Sequence, residues 1–156
     1  MRTLILAAAA VATVSGSTAL SEDKELSARE AEKAVSVRQS LFDLIGWNIG
    51  GLGPIARGRA PYDAALVEQS ADRLAQLGAM IPDAFAADTS SSDVASEARP
   101  VIWTEFDDFT EHATTMAEAA EEVRELAAAG DEEAALTAIR HLASTCKSCH
   151  QSYRAE

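Results

Sequence analysis

Near its carboxyl end the chain reads LTAIRHLASTCKSCHQSY over residues 136–153. The Cys-x-x-Cys-His run from Cys146 to His150 is the attachment signature of c-type haem. Positions i, i+3 and i+4 share one helix face, so both thiols and the imidazole can meet one flat ring. We therefore predict one covalent haem c, bound through Cys146 and Cys149, with His150 as the axial iron ligand. The apolar residues of the stretch recur every three or four positions, which predicts an amphipathic helix: Leu136, Ile139, Leu142, Ala143, Cys146, Cys149 and Tyr153.

Three other chemistries use paired cysteines. A structural zinc site usually takes four Cys or His ligands, whereas this chain has two Cys and three His, and neither His112 nor His141 stands at finger-like spacing. A thioredoxin-like redox pair belongs beside a βαβ pattern, which the sequence lacks. A plain disulfide is compatible with the spacing, although the helical pattern and the export signal described below favour haem.

Two further helices are predicted in the first half of the chain. The first begins at the capping-box pattern of Ser27 and Glu30, and the glycine- and proline-containing stretch 50–54 is expected to weaken or end it. Its apolar residues at helical spacing are Ala34, Val37, Leu41, Leu44, Ile45 and Ile49. The second helix follows Pro61 and ends near Pro82, and one of its faces carries Leu66, Val67, Ala71, Leu74 and Leu77.

The third helix has the most regular pattern. Residues 83–98 are rich in Ser and Asp and predict a loop, after which Pro100 suits the first turn of a helix. Gly130 is expected to end this helix and Asp131 to cap the next. Short connections after the first and third helices favour antiparallel neighbours, and the longer connection after the second still allows an up-down-up-down order. The predicted fold is therefore an all-α four-helix bundle with the haem inside one end. Alternating spacings of four and three predict its inner seam: Ile102, Phe106, Phe109, Ala113, Met116, Ala120, Val123 and Ala127.

The amino-terminal stretch has the pattern of an export signal. Arg2 precedes a short apolar run, and small residues before Leu20 offer a cleavage site. The run is shorter than the roughly 20 residues that span a bilayer. We therefore expect residues 1–19 to be removed and residues 20–156 to form one periplasmic domain, with a retained membrane anchor as the alternative. The formal net charge of −12 disfavours nucleic acid and anionic membrane surfaces as partners.

Together these features resemble the cytochrome c′ family, the class II c-type cytochromes. Its members are up-down-up-down bundles, whereas a class I cytochrome c carries its haem motif near the amino terminus. One departure is that no tryptophan follows Met80 to Asp83, where many members have one. The matching stretches are residues 38–40 (RQS), 60–65 (APYDAA), 98–103 (ARPVIW) and 146–154.

The resemblance implies roles for four more residues. Arg38 and Gln39 match a polar pair beside a haem propionate, and a guanidinium can donate two parallel hydrogen bonds to a carboxylate. Glu97 matches a position at the haem edge, and Arg154 matches an arginine over the proximal face. Arg38 also has a simpler interpretation as a solvated helix charge, and Arg154 as a basic residue favoured by a helix carboxyl end.

The sixth coordination position of the iron decides the function. In the family this position takes a methionine from the first helix in low-spin members and an apolar side chain in high-spin members. The matching residue, four after Arg38, is Phe42, and no Met or His lies in residues 27–58. The resemblance therefore implies five-coordinate, high-spin iron with Phe42 lining an apolar distal pocket. The remaining candidates for a sixth protein ligand are Met80, His112 and Met116, which is most simply a core residue.

Two functions use the same haem. The resemblance implies a protein that binds NO and CO and that can also take part in electron transfer. It also implies discrimination against O₂, because bound O₂ needs distal stabilisation that an apolar pocket does not offer. The alternative is a dedicated one-electron carrier of a respiratory or photosynthetic chain, with low-spin, six-coordinate haem and a redox protein partner. A peroxidase-like enzyme is disfavoured because the sequence offers no evident distal His–Arg pair. Family members are commonly homodimers through their first two helices, where Leu44, Trp47 and Leu66 are either contact or core residues.

Overall fold

Residues 26–155 form a bundle of four long helices, with two short helices in one connection. The computed structural model describes residues 26–155, so the predicted export signal at residues 1–19 lies outside the described residues. α5 packs along α2 and α6, and α1 packs on α2, which confirms the predicted all-α four-helix bundle. No helix in residues 26–155 is both long and apolar enough to cross a membrane. The helices are α1 (Ala28–Ala56), α2 (Ala64–Ala79), α3 (Ile81–Phe85), α4 (Val101–Thr104), α5 (Phe106–Ala128) and α6 (Glu132–Tyr153).

Local caps begin and end the long helices. The hydroxyl of Ser27 accepts from the Glu30 amide at 3.3 Å, and the Glu30 carboxylate accepts from the Ser27 amide at 2.9 Å, which completes the predicted capping box. Asp131 caps α6 as predicted, and Asp63 caps α2 in the same way. Gly130 ends α5 with φ of 76°, a conformation that favours glycine.

α1 extends further than the sequence predicts. It continues through Pro54 and ends only at Ala56. Proline removes one helical hydrogen bond, but Leu52 and Ile55 on either side are 0% and 5% exposed. Burial of these two side chains stabilises the helix by more than the loss of one hydrogen bond near its end destabilises it. The stretch 50–54 therefore does not end α1.

The connection between α2 and α5 is more ordered than the predicted loop. Residues 83–85 belong to α3, whose Phe85 is buried, so the irregular segment begins at Ala86. The third predicted helix is divided, because Glu105 takes φ −124° and ψ 39° between α4 and α5. A short helix and a bend therefore stand where a single helix was expected to begin.

The buried faces agree with the predicted pattern best on α5. On α1, Val37 and Leu44 are exposed, because polar Arg38 and Asn48 occupy the buried stripe instead; on α2, Leu66 is exposed. On the seam of α5 the residues that are buried as predicted are Phe109, Ala113, Met116, Ala120, Val123 and Ala127.

Candidate haem-attachment site

The carboxyl end of α6 presents two thiols and an imidazole. Cys146 and Cys149 are half-buried and pack against the core, whereas His150 is exposed. Both thiols are free, so in this structure the disulfide alternative is not adopted. Burial raises the pKa of both thiols, that of Cys149 to about 11. The cysteines are therefore neutral thiols at neutral pH, the form that lies readily against an apolar core.

α1 brings an aromatic side chain to face the imidazole. The ring of Phe42 lies 6.4 Å from the ring of His150, centre to centre, in an edge-on arrangement. Phe85 of α3 lies 6.2 Å from Phe42, and Phe109 of α5 lies 4.8 Å from Phe85. The structure thus brings together the predicted axial ligand and the predicted distal residue, with further aromatic rings behind them.

Arg38 is buried one turn before Phe42 on α1. Its side chain is 3% exposed, and its Nε donates to the carbonyl of Ala84 at 2.9 Å. Its Nη1 donates to Thr89 Oγ1 at 2.7 Å, and its Nη2 donates to the carbonyl of Ala87. Burial lowers the pKa of Arg38, while the charge of Asp88 raises it. Arg38 therefore fastens residues 84–89 onto α1 and is not a solvated helix charge.

The sequence did not single out three residues that contact Arg38, which are Phe85, Thr89 and Trp103. The guanidinium carbon of Arg38 lies 4.6 Å from the centre of the Phe85 ring and 5.1 Å from that of Trp103, within cation–π range. Trp103 Nε1 donates to the carbonyl of Phe85 at 2.9 Å. The spacing of Ile81 and Phe85 is a helical signal that could have revealed Phe85. Nothing in the local sequence indicated that Thr89 or Trp103 would meet Arg38.

The other predicted site residues lie at the surface. Gln39 is exposed on α1. Arg154 follows the last residue of α6, and its Nε and Nη2 contact Glu97 Oε2 at 2.7 and 2.6 Å. Glu97, His150 and Arg154 line one open cleft with Lys147. Partial desolvation of the imidazole and the charge of Arg154 lower the pKa of His150, against an opposing effect of Glu97.

Tyr153 connects the end of α6 to the start of α5. It is buried, and its hydroxyl hydrogen-bonds to Asp108 and lies 3.5 Å from Glu105 Oε2. Its ring packs edge-on against Phe109 at 5.3 Å and against His112 at 5.7 Å. Burial and the hydrogen bond to Asp108 raise the pKa of Tyr153, so the phenol stays protonated as the hydrogen-bond donor.

The remaining candidates for a sixth ligand have other surroundings. Met116 of α5 is buried, and its sulfur packs closely on Gly78 of α2, where an added Cβ would stand only 3.1 Å from it. His112 packs on Tyr153, with its Nε2 3.9 Å from Asp108 Oδ2. Met80 is 54% exposed at the end of α2. Within residues 26–155 no three His, Cys, Asp or Glu side chains are grouped as metal ligands.

The donor set fits covalent haem. Two unpaired thiols stand one helical turn apart on α6, beside an imidazole that faces an aromatic cluster across the bundle end. Thioether attachment uses the two thiols, and an imidazole is a common axial ligand of haem iron. The fold and this set of groups together define a four-helix-bundle protein that carries haem c.

Comparison with known proteins gives the family. The family described as cytochrome c′ matches residues 33–154, and this chain belongs to it. Cytochrome c-554 of Cereibacter sphaeroides is 36% identical over 130 residues, which cover 81% of this chain and 96% of the relative. Ferric cytochrome c′ from Alcaligenes xylosoxidans has a solved structure that is similar with a TM-score of 0.72 and 31% identity, covering 81% of this chain and 96% of that one. A mutant of the same protein, solved as its nitric oxide complex, is similar with a TM-score of 0.70, 30% identity and the same coverage.

Proposed function

We propose that this protein binds nitric oxide and carbon monoxide at the open side of a five-coordinate, high-spin haem iron. The observation that carries the proposal is the position of Phe42, whose ring faces His150 and contains no atom that can ligate iron. Bound haem supplies an iron that can coordinate a diatomic ligand on the side opposite His150. The nitric oxide complex of a similar protein supports the choice of ligand.

An apolar distal side also accounts for discrimination against O₂. Phe42 is backed by Phe85, and neither ring offers a hydrogen-bond donor. Arg38 packs on Phe85, but three of its five N–H groups donate to residues 84–89, and we assign the other two to a haem propionate and not to the bound gas. Since bound O₂ depends on distal hydrogen-bond donors more than NO or CO does, we infer that O₂ binds weakly.

The proposed attachment uses residues from α6 and α1. Cys146 and Cys149 would form the thioether bonds, and His150 would ligate the iron from the proximal side. Arg38 and Gln39 would lie beside a haem propionate, and Arg38 would donate to it through the two N–H groups that the contacts with residues 84–89 leave free. The proposed neighbours of the haem edge and of the proximal face are Glu97 and Arg154.

We also propose the cellular setting and the assembly. Cytochromes c′ are typically periplasmic, and cleavage before Leu20 would give the mature chain, whose amino terminus mass spectrometry can identify. Leu44, Trp47 and Leu66 are 50%, 69% and 41% exposed, and Arg73 of α2 lies over the Trp47 ring at 5.5 Å. Such an apolar patch on α1 and α2 suits a homodimer contact, which a monomeric sedimentation profile would contradict.

Gas binding to the ferrous protein tests the proposed function. We expect CO and NO each to change the haem spectrum until the binding site is saturated. Exposure to air should give no stable spectrum of an O₂ complex. A protein that fails to bind CO and NO, or that binds O₂ as tightly as CO, would contradict the proposal. A class I cytochrome c, in which a protein side chain fills the sixth position, serves as the non-binding control.

A further inference from the structure

The segment before α4 is paired with the end of the haem-binding helix. Beyond Tyr153 the chain leaves the helix, and Arg154 forms an antiparallel bridge with Ala98. The amide of Ala155 donates to the carbonyl of Glu97 at 2.8 Å, and the amide of Arg99 donates to the carbonyl of Tyr153 at 3.0 Å. This short two-stranded pairing fixes the backbones of residues 97–99 against those of residues 153–155.

The same pairing brings Glu97 and Arg154 together. Both Nε and Nη2 of Arg154 contact one carboxylate oxygen of Glu97, at 2.7 and 2.6 Å. Exposed ion pairs contribute little to stability. Here the backbone hydrogen bonds between residues 97–99 and 153–155 already hold both main chains. The Glu97–Arg154 ion pair therefore costs little main-chain freedom, and its main effect is to fix where the guanidinium lies.

The position of that guanidinium matters because of its neighbour. The amide of Arg154 donates to the carbonyl of His150 at 3.1 Å, so the two residues are one helical turn apart. Both side chains line the cleft that Glu97 also lines. A positive charge fixed there would favour ferrous over ferric iron held by His150, because the ferrous centre carries one positive charge fewer.

We propose that Glu97 is a positioning residue, which holds the Arg154 guanidinium in the cleft beside His150 and so tunes the reduction equilibrium of the haem. The proposal rests on the proposed function only in taking His150 as the iron ligand. Glu97 acts through Arg154. When the Glu97 carboxylate is removed, the Arg154 guanidinium is no longer held in the cleft and moves into solvent, where water and salt screen its charge.

The test is a double-mutant cycle on the reduction potential of the haem-loaded protein, with E97Q, R154Q and the double variant. R154Q is expected to shift the equilibrium severalfold toward ferric iron. The shift caused by E97Q should differ between the parent and the R154Q background by at least about threefold in equilibrium constant, because only the parent contains a cation to release. Additive shifts would overturn the proposal, since they would mean that Glu97 acts on the haem by its own charge. Glu111→Gln, which removes an exposed carboxylate on α5, is the matched control and should add to R154Q without coupling.

A second measurement does not depend on the iron. The Nε–H proton of Arg154 should exchange with water at least severalfold faster in E97Q than in the parent protein, and E97D should restore part of the protection. Unchanged exchange would refute the positioning role even if the potentials were coupled. If His150 were not the iron ligand, E97Q would still speed exchange of the Arg154 proton, but R154Q would leave the potential unchanged. Failure of the ligand assignment is therefore distinguishable from failure of the positioning role.

Discussion

Replacing Phe42 by alanine is expected to raise the affinity of the ferrous protein for carbon monoxide about 10- to 100-fold. The phenyl ring faces His150 at 6.4 Å, so a ligand bound opposite His150 must displace or compress it. Forcing extra atoms into a packed site costs about 1–3 kcal/mol, and each 1.4 kcal/mol corresponds to a factor of ten in affinity. Equilibrium titration with CO, followed by the haem spectrum, measures the change.

Two control variants separate crowding from general loosening of the bundle. Phe42→Leu keeps an apolar side chain of similar reach and should stay within severalfold of the parent affinity. Phe106→Ala removes another partly buried ring, which packs on Phe109 at 6.1 Å, and should leave CO affinity near the parent value. Equal gains in Phe42→Ala and Phe106→Ala would refute distal crowding by Phe42.

Replacing Arg38 by methionine is expected to destabilise the protein by at least about 3 kcal/mol. The change keeps much of the side-chain volume but leaves the carbonyls of Ala84 and Ala87 and the hydroxyl of Thr89 without their donor. Hydrogen bonds to charged groups contribute roughly 1.5–3 kcal/mol each, and the stacking on Phe85 and Trp103 is also lost. Denaturant unfolding measures the change in the free energy of unfolding.

Arg38→Lys should recover little of this stability. The three N–H groups of an ammonium share one nitrogen, so they cannot replace donors at the separate, coplanar Nε, Nη1 and Nη2 positions. Arg73→Met is the matched control: this arginine also lies over an aromatic ring, that of Trp47, but it does not fasten residues 84–89 as Arg38 does. We expect its effect to stay within about 0.5 kcal/mol. If Arg38→Met were as mild as Arg73→Met, Arg38 would not fasten residues 84–89.

The parts of the fold that were predictable are those specified by neighbouring residues. The seam of α5 and the caps at Ser27 and Asp131 depend on spacing and local hydrogen bonds, and both were predicted. α1 was predicted less well, because its buried stripe contains Arg38, whose partners lie 46 to 51 residues away. Hydrophobic periodicity cannot identify a polar residue that is buried by distant partners.

The candidate site divides in the same way. The attachment motif is contiguous, so Cys146, Cys149 and His150 were predictable from sequence, and Phe42 followed from a family resemblance. The pairing of Glu97 with Arg154 depends on a bridge between segments 57 residues apart in sequence. The aromatic rings behind Phe42 come from α3 and α5, and only their tertiary packing reveals that they form one cluster.

The coordination state of the iron tests the central claim most directly. Resonance Raman and optical spectra of the ferrous, haem-loaded protein, recorded without added ligand, distinguish five-coordinate high-spin from six-coordinate low-spin iron. With His150 on one side and the Phe42 ring on the other, we predict a five-coordinate, high-spin spectrum that changes on addition of CO. A six-coordinate, low-spin ferrous spectrum that CO leaves unchanged would contradict the open site and would favour a dedicated electron carrier.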